Sequence, residues 1–414
     1  MKLATIVGLI VLVLGMAGAR AQTVPSTSDS TLVDEALDDY QHRIRYGFLV
    51  DPFSIYSSTY GFGIRALATV YNLPFTGSRL RATLAPYQRR GVYALSLRTH
   101  DPEVNDVFGL FRVRYETTRA YRYYGLGPNS MKNDQLFVDM DRFEVVARVG
   151  FQFAEDRFMI QPFATYSWDK ANGLDEGDDP STLDQRSQDN LAIVLGQVAS
   201  PSGITDNAQS GVKVGVSLLA DHRNRRAYPT AGTLAEITAT HYMSRGDFDV
   251  SFDQLKFDGH LFVSVAGDHV LAFRALAKTT SSSGNDPVPF YLLPQVDFSL
   301  LGGYKGHRLI GDDLLVLTTE YRWPMVNLSD LYQVTGFVQA GVGNVFDDLA
   351  NMKLSVSFDR NPDPNDHGLR PGFGIGLRVA ALEQGRDLIY WMLGFSPEGV
   401  TLASFRFVVP LTDI

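Results

Sequence analysis

Residues 143–153 alternate without a break. Phe143, Val145, Ala147, Val149, Phe151 and Phe153 fall on one side of an extended chain, and Glu144, Val146, Arg148, Gly150 and Gln152 on the other. Period two over this length is a strand, and a long one, because five or six residues is usual in soluble proteins. A tilted strand crosses hydrocarbon in about 9–11 residues. The dyad returns in 107–117, where Phe111, Val113 and Tyr115 oppose Arg112, Arg114 and Glu116. In 209–221, Val212, Val214, Val216 and Leu218 oppose Lys213, Ser217 and Asp221. In 370–379, Phe373, Ile375, Leu377 and Val379 oppose Arg370, Gly374, Gly376 and Arg378. A soluble sandwich would bury the apolar faces between two sheets. A barrel in lipid turns them outward and keeps Arg, Glu and Gln in a watery lumen.

Lipid is the better solvent for these strands. The polar faces are rich in Arg with a carboxylate nearby, as a hydrated lumen requires. Aromatics cluster at strand ends (Tyr121, Tyr123 and Tyr124; Tyr166 and Trp168; Tyr321 and Trp323; Tyr390 and Trp391), where interfacial girdles belong. No stretch after the first residues reaches 18 apolar positions, so no membrane-spanning helix is expected.

Residues 1–21 have the pattern of a signal peptide. Lys2 is followed by an apolar run from Leu3 to Leu14 and by Ala19-Arg20-Ala21 before Gln22. Without Lys2 and Arg20, 35 basic side chains face 46 acidic ones, a charge of −11, which argues against nucleic acid and anionic membrane surfaces as partners. The 414 residues contain no Cys. That removes disulfides, thiolate metal sites, a cysteine nucleophile and a lipidated N-terminus together.

Strands are predicted near 45–57, 60–71, 78–86, 91–98, 107–120, 140–153, 157–168, 209–221, 233–243, 248–264, 269–281, 312–324, 332–343, 369–381, 388–396 and 401–410. An even count of 16 places both termini on the periplasmic side. Short turns then fall inside, and the long connections 121–139, 169–208, 282–311 and 344–368 fall outside. Pro52 cannot donate to a ladder, so a weak seam is expected where the first strand meets the last, which carries Phe405 and Phe407; alternatively Pro52 lies in a loop and the first strand starts later. Residues 22–44 are expected to form a short periplasmic N-terminal segment in which Leu32, Val33, Ala36, Leu37 and Tyr40 have helical spacing, the helix lying either in the lumen or free in the periplasm, with no room for a folded periplasmic domain. The barrel takes up 45–414. The acidic loop 169–208 fits no calcium-loop spacing and is expected to be solvated.

Two segments carry more than a strand pattern. Asp221-His222-Arg223-Asn224 leads through Pro229 to Gly232-Thr233. Asp221 and Arg223 share a face, Pro229 fixes a turn and Gly232 tolerates the re-entry into a strand. Farther on, Pro289-Phe290-Tyr291-Leu292-Leu293-Pro294 precedes Leu301-Gly302-Gly303-Tyr304-Lys305-Gly306-His307-Arg308, and Thr319-Glu320-Tyr321-Arg322-Trp323-Pro324 follows. Together with Tyr123-Tyr124-Gly125-Leu126-Gly127-Pro128-Asn129-Ser130, these resemble the BamA/TamA superfamily of bacterial surface antigen barrels. They match its periplasmic hairpin and its long sixth extracellular loop, in a form without the periplasmic POTRA domains.

The resemblance implies an all-β, 16-stranded antiparallel transmembrane barrel in the bacterial outer membrane, with that loop folded inward. It also implies a role in inserting or exporting client outer-membrane proteins or lipids, with outer-membrane lipid as surroundings. In the family the loop tip reads Arg-Gly-Phe or Arg-Gly-Tyr, and its Arg pairs with a carboxylate of the barrel wall. Here the tip is Lys305-Gly306-His307-Arg308, and the wall strand carries Gln339. Neither original partner remains, and Lys lacks the bidentate fork. Glu320 and Arg322 share the expected lumen face, which makes a pair between Lys305 or Arg308 and Glu320 the expected substitute; the alternative is an exposed loop with solvated basic residues. The rival functions are a passive pore for small solutes and a surface structural or adhesive protein. No catalytic group, metal site or cofactor site is marked in the sequence: the eight His are scattered, and Arg245-Gly246-Asp247 reads as a turn.

Overall fold

The alternation closes a ladder in which each strand pairs with the next in sequence. The computed structural model describes residues 45–51, 56–57, 61–73, 78–99, 106–128, 130–154, 157–225, 229–296, 298, 300–329, 332–359, 367–381 and 386–401. The expected signal peptide 1–21, the segment 22–44, Pro52, and the strand expected at 401–410 with Phe405 and Phe407, apart from Thr401, lie outside them. Sixteen antiparallel strands form one sheet. They are β1 Arg45–Asp51, β2 Arg65–Tyr71, β3 Arg79–Tyr87, β4 Arg90–Arg98, β5 Val107–Tyr123, β6 Leu136–Phe153, β7 Phe158–Leu174 and β8 Ala208–Asp221. They continue as β9 Gly232–Arg245, β10 Ser251–Ala266, β11 His269–Ser282, β12 Asp313–Ser329, β13 Tyr332–Phe346, β14 Arg370–Ala381, β15 Arg386–Ser396 and β16 Gly399–Thr401. The order is linear, and no pairing joins β1 to β16 among the described residues. No helix among them is long and apolar enough to cross a membrane.

Exposure sorts the two faces. Phe111, Val149, Phe151 and Ile375 are 48, 42, 44 and 46% exposed, whereas Glu320, Arg322, Gln339 and Gln152 are 7, 8, 9 and 5% exposed. An apolar surface of this extent would be a liability in water and is what hydrocarbon requires.

The strands outrun their predicted ends at the rim with the long connections. β5 runs to Tyr123 and β6 begins at Leu136, so the expected loop 121–139 shrinks to a short segment. A bulge between Thr118 and Tyr121 shifts the register there and turns Tyr121 and Tyr123 to the covered side. Both are buried, as is Tyr124, so this cluster is core and not a girdle; Tyr166 and Tyr321 do stay on the exposed apolar face. At the start, β1 ends at Asp51 and β2 begins at Arg65, with a small hairpin of Tyr56–Ser57 and Gly61–Phe62 between them.

The acidic connection is also ordered. β7 continues to Leu174, and the helix α1, Gln185–Val194, follows. Asp184 caps it, accepting from the Ser187 amide at 3.0 Å, and Leu191 and Val194 meet Tyr123 and Phe290 in one apolar cluster. Most of its acidic residues are exposed, as a solvated loop requires, but the connection is built and not disordered: Asp184 caps the helix, and Arg186 donates to Asp312 at 2.7 Å and also pairs with Asp347.

The opposite rim holds the β8–β9 hairpin. Arg223 grips Asp221 through Nε at 2.8 Å and a terminal nitrogen at 2.7 Å, with both side chains buried. The Asn224 side-chain oxygen accepts from the Thr230 and Ala231 amides at 3.1 Å each. Pro229 lies in this turn, and Gly232 leaves it at φ 106°, where a Cβ would collide with the His222 carbonyl. Gly246 has φ 105° but open space around it. Alanine at either site costs about 1–2 kcal/mol for the left-handed backbone. Gly232→Ala is expected to lose at least about 1 kcal/mol more than Gly246→Ala, the added cost of contact strain. Urea unfolding of the detergent-solubilised protein measures the difference, and equal losses would contradict it.

Candidate functional site

The segment between β11 and β12 is anchored at its base and buried along 301–304 and at Arg308. Gln295–Val296 pairs with Leu309–Ile310, closing the segment into a narrow loop. Leu301 and Tyr304 are buried with Leu276, Leu314, Val316 and Val345. Those four positions share the face of Glu320 and Gln339 by strand parity, so the polar face becomes apolar under the loop. Glycines make the room. Gly302 and Gly303 run so close to the backbones of Phe373 and Phe395 that a Cβ on either would overlap them, and a Cβ on Gly372 or Gly394 would overlap the loop in turn. Burying Leu301 fully is worth about 1.5–3 kcal/mol.

The charged tip then finds partners on the last hairpin. Arg308 is 1% exposed. Its Nε donates to Glu398 Oε2 at 2.8 Å, and a terminal nitrogen lies 2.7 Å from Glu398 Oε1. The remaining donors reach the Ser130 hydroxyl at 2.9 Å and the Ser130 carbonyl at 2.8 Å, and the guanidinium lies over the Tyr124 ring at 5.0 Å. Arg370, at the start of β14, donates to Glu398 Oε1 at 3.1 Å and to the Pro128 carbonyl. Lys132 donates to the Glu398 carbonyl at 2.6 Å. Two forked cations around one buried carboxylate, with nearly all donors satisfied, make a rigid latch. Its neutral contacts extend to the same strands: Ser396 and Thr401 donate to the Gly303 carbonyl at 3.1 and 2.7 Å, and Tyr304 donates to the Pro371 carbonyl at 3.1 Å.

The expected pair between the loop tip and Glu320 is not formed. Glu320 is taken by Arg322 on one oxygen and by Arg378 on the other, the latter at 2.7 Å, so its charge is already compensated within the wall. Lys305 is half-buried and makes no ion pair among the described residues; burial, with Arg122 and Lys132 nearby, holds its ammonium below the usual value. His307 takes φ 60°, stacks on Tyr121 at 4.2 Å and bonds Gln295. Gly306 turns the tip in open space, and Gln339 lies beside Glu320 in the register. The tip residues are thus together, while Glu320, Arg322 and Gln339 form a separate cluster with Arg378. Asp221, Arg223, Pro229 and Gly232 lie at the other rim.

Glu398, Arg370, Ser130 and Tyr124 escaped the sequence reading as partners. Alternate glycines at 372, 374 and 376, opposite a second glycine run at 341 and 343, were the available signal of a segment lying against the sheet. Among the described residues no cluster of three His, Asp or Glu is placed to hold a metal ion.

Comparison with known proteins supports the architecture. A family model described as the Omp85 superfamily domain matches residues 72–381. The chain is similar to BamA from Haemophilus ducreyi lacking POTRA domains 1-3, with TM-score 0.59 and 16% identity over 88% of this chain and 69% of that one. It is also similar to CdiB from Escherichia coli, with TM-score 0.53 and 12% identity over 88% of this chain and 61% of that one. At these identities the likeness is one of fold. No curated protein matches the chain.

Glu398→Ala is expected to cost about 3–5 kcal/mol, because it strands two buried guanidinium groups, and Arg308→Ala, which leaves Arg370 on Glu398, about 1–3 kcal/mol. The double variant should lose clearly less than the sum. Lys305→Ala should stay within about 0.5 kcal/mol. Unfolding in detergent measures all four; a Lys305 loss as large as that of Arg308 would contradict the assignment.

Proposed function

The chain belongs to the Omp85 superfamily and is an outer-membrane β-barrel protein, and from that premise we propose that it helps other polypeptides enter or cross the outer membrane at a barrel seam governed by the loop latch. In this reading β1 and β16 approach each other to close the barrel, and the segment 283–312 lies in the lumen as a plug. The supporting observation is that Arg308, on the loop, and Arg370, on β14, share the single carboxylate of Glu398 in the β15–β16 turn. Holding the loop therefore holds the last hairpin, and releasing it frees the strand next to the seam. An unpaired strand edge in hydrocarbon is costly, because its backbone groups find no water there. A client strand that pairs with it removes that cost, which is how an edge serves as a template.

A reconstitution assay tests the proposal. The protein in liposomes is expected to accelerate folding of a second, denatured outer-membrane barrel. Since the chain has no Cys, cysteines placed in 45–51 and 399–401 and joined by a bismaleimide should abolish the acceleration. Glu398→Gln, which weakens the latch, should raise it. No acceleration by the unmodified protein, or acceleration that survives the bridge, would refute the reading.

A further inference from the structure

The connection between β13 and β14 folds over the outward side of the wall. On β12 the positions 313, 315, 317 and 321 share one face, and the register sets Val338, Val342 and Asn344 of β13 on the same face. Tyr321 and Val338 are 36 and 40% exposed there, which marks it as the side turned away from the lumen. At its outer end that face is covered. Ala277, Leu315, Phe346 and Leu369 are buried together with Leu349, and Leu317, Val342 and Met352 pack at the margin. Leu349 begins a single helical turn, Leu349–Asn351, in the connection itself. Buried polar groups of the same face pin it down: Asp313, 0% exposed, accepts from the Leu349 amide at 2.7 Å, and Asn344 donates to the Gly368 carbonyl at 2.8 Å.

Beyond Met352 the chain runs extended beside the start of β14. Lys353 donates to the His367 carbonyl at 3.1 Å, the Ser355 carbonyl accepts from the Leu369 amide at 2.7 Å, and the Ser357 amide donates to the Leu369 carbonyl at 2.8 Å. This pairing is parallel, with Val356 opposite Leu369. It leaves Leu354, Val356 and Phe358 at 86, 43 and 66% exposure. Three apolar side chains at alternate positions, held by a ladder and uncovered, mark an interaction surface. Depth identifies what meets it. Leu315, under the cover, stands eight residues before Trp323, which packs on Tyr321 toward the inner end of β12. At about 3.3 Å per residue and a tilt of about 40°, that separation is about 20 Å along the barrel axis. The outward apolar band of such a barrel is about 25 Å tall between its aromatic girdles, so the covered cluster lies within the outer leaflet and not above it.

We propose that the β13–β14 connection is a lipid-docking element, which seats Leu354, Val356 and Phe358 among the acyl chains of the outer leaflet. The occupant is hydrocarbon because the element lies on the outward face, over the strands whose Tyr321, Val338, Phe373 and Ile375 already meet lipid, and its three side chains continue that surface. Lys353 and Asp359, both exposed, flank them and can reach the headgroup region from an apolar depth, as long polar side chains do at an interface. Leu369, which the element grips, is followed directly by Arg370 of the latch, so the lipid contact and the latch share the start of β14. The inference needs only the orientation of the wall and stands whether or not the protein acts on polypeptides.

The test uses the full chain in phosphatidylcholine liposomes. In the unmodified protein, photolysis with a phosphatidylcholine that carries a diazirine partway along one acyl chain should attach lipid to the tryptic peptide 354–360. The yield should be at least about threefold that on the tryptic peptide 171–186 of the acidic outer connection, a comparison that needs no variant. Because the chain has no Cys, Leu354→Cys, Phe358→Cys and Glu176→Cys can each carry one environment-sensitive fluorophore, with heat-modifiable migration preserved. Lipids with a nitroxide on the acyl chain should quench the fluorophore at 354 and 358 at least about twofold and leave that at 176 unchanged. Peptide 354–360 without lipid adducts, or quenching at 354 and 358 no greater than at 176, would overturn the proposal. So would fluorophores at 354 that ignore the nitroxide lipid but quench one another as the ratio of protein to lipid rises, which would identify a second copy of the chain as the occupant.

Discussion

The backbone ladder is the constraint from which the rest of this molecule follows. In hydrocarbon an unpaired amide or carbonyl costs several kcal/mol, so each strand must pair along its length. The ladder then fixes side-chain parity: a residue two positions along points the same way, and one position along points the opposite way. Val149 and Arg148 are adjacent in sequence, yet one faces outward and the other belongs to the polar face. A single bulge, between Thr118 and Tyr121, is enough to reverse that assignment locally and bury a tyrosine cluster.

The same parity explains how the loop is seated. Where the polar face carries arginine and glutamate, no apolar segment could settle without stranding charges. Under Leu301 and Tyr304 that face is instead Leu276, Leu314, Val316 and Val345 beside glycine backbones. Once the apolar part is placed, the charged tip is brought to the β15–β16 turn, where Glu398 awaits it. Arg308 succeeds where Lys305 cannot because only a planar fork can use both carboxylate oxygens at once while its other nitrogens satisfy Ser130. The latch has thus kept an arginine–carboxylate contact while both of its residues differ from those the resemblance implies.

Much of this was legible in the residues. Alternation located the first 15 strands in order, while the strand expected at 401–410 lies, beyond Thr401, outside the described residues; Asp221, Arg223 and Gly232 marked the hairpin they form. Strand ends were read short, because Leu136, Val138 and Met140 pack under the capping segments and break no pattern that hydropathy alone would notice. The helix α1 was missed because its carboxylates looked like a solvated run, and only Asp184 before Ser187 hinted at a cap. The Glu398 partnership could not be read from spacing, since 90 residues separate it from Arg308 and tertiary packing alone brings them together. Glu320 looked available from its own strand, but Arg378, two strands away, had already claimed it.

Accessibility along single strands in a bilayer tests the central claim of parity most directly. Nitroxide labels placed one at a time from 144 to 151 and from 373 to 378 would be relaxed by dissolved oxygen and by a water-soluble nickel chelate. The account predicts oscillation with period two, with oxygen dominant at Val145, Val149, Phe373 and Ile375 and nickel dominant at Glu144, Arg148 and Arg378. Nickel dominance at Val149 and Ile375, with Arg148 shielded from both reagents, would mean that the apolar side faces water and the polar side a second sheet, and the account would be wrong.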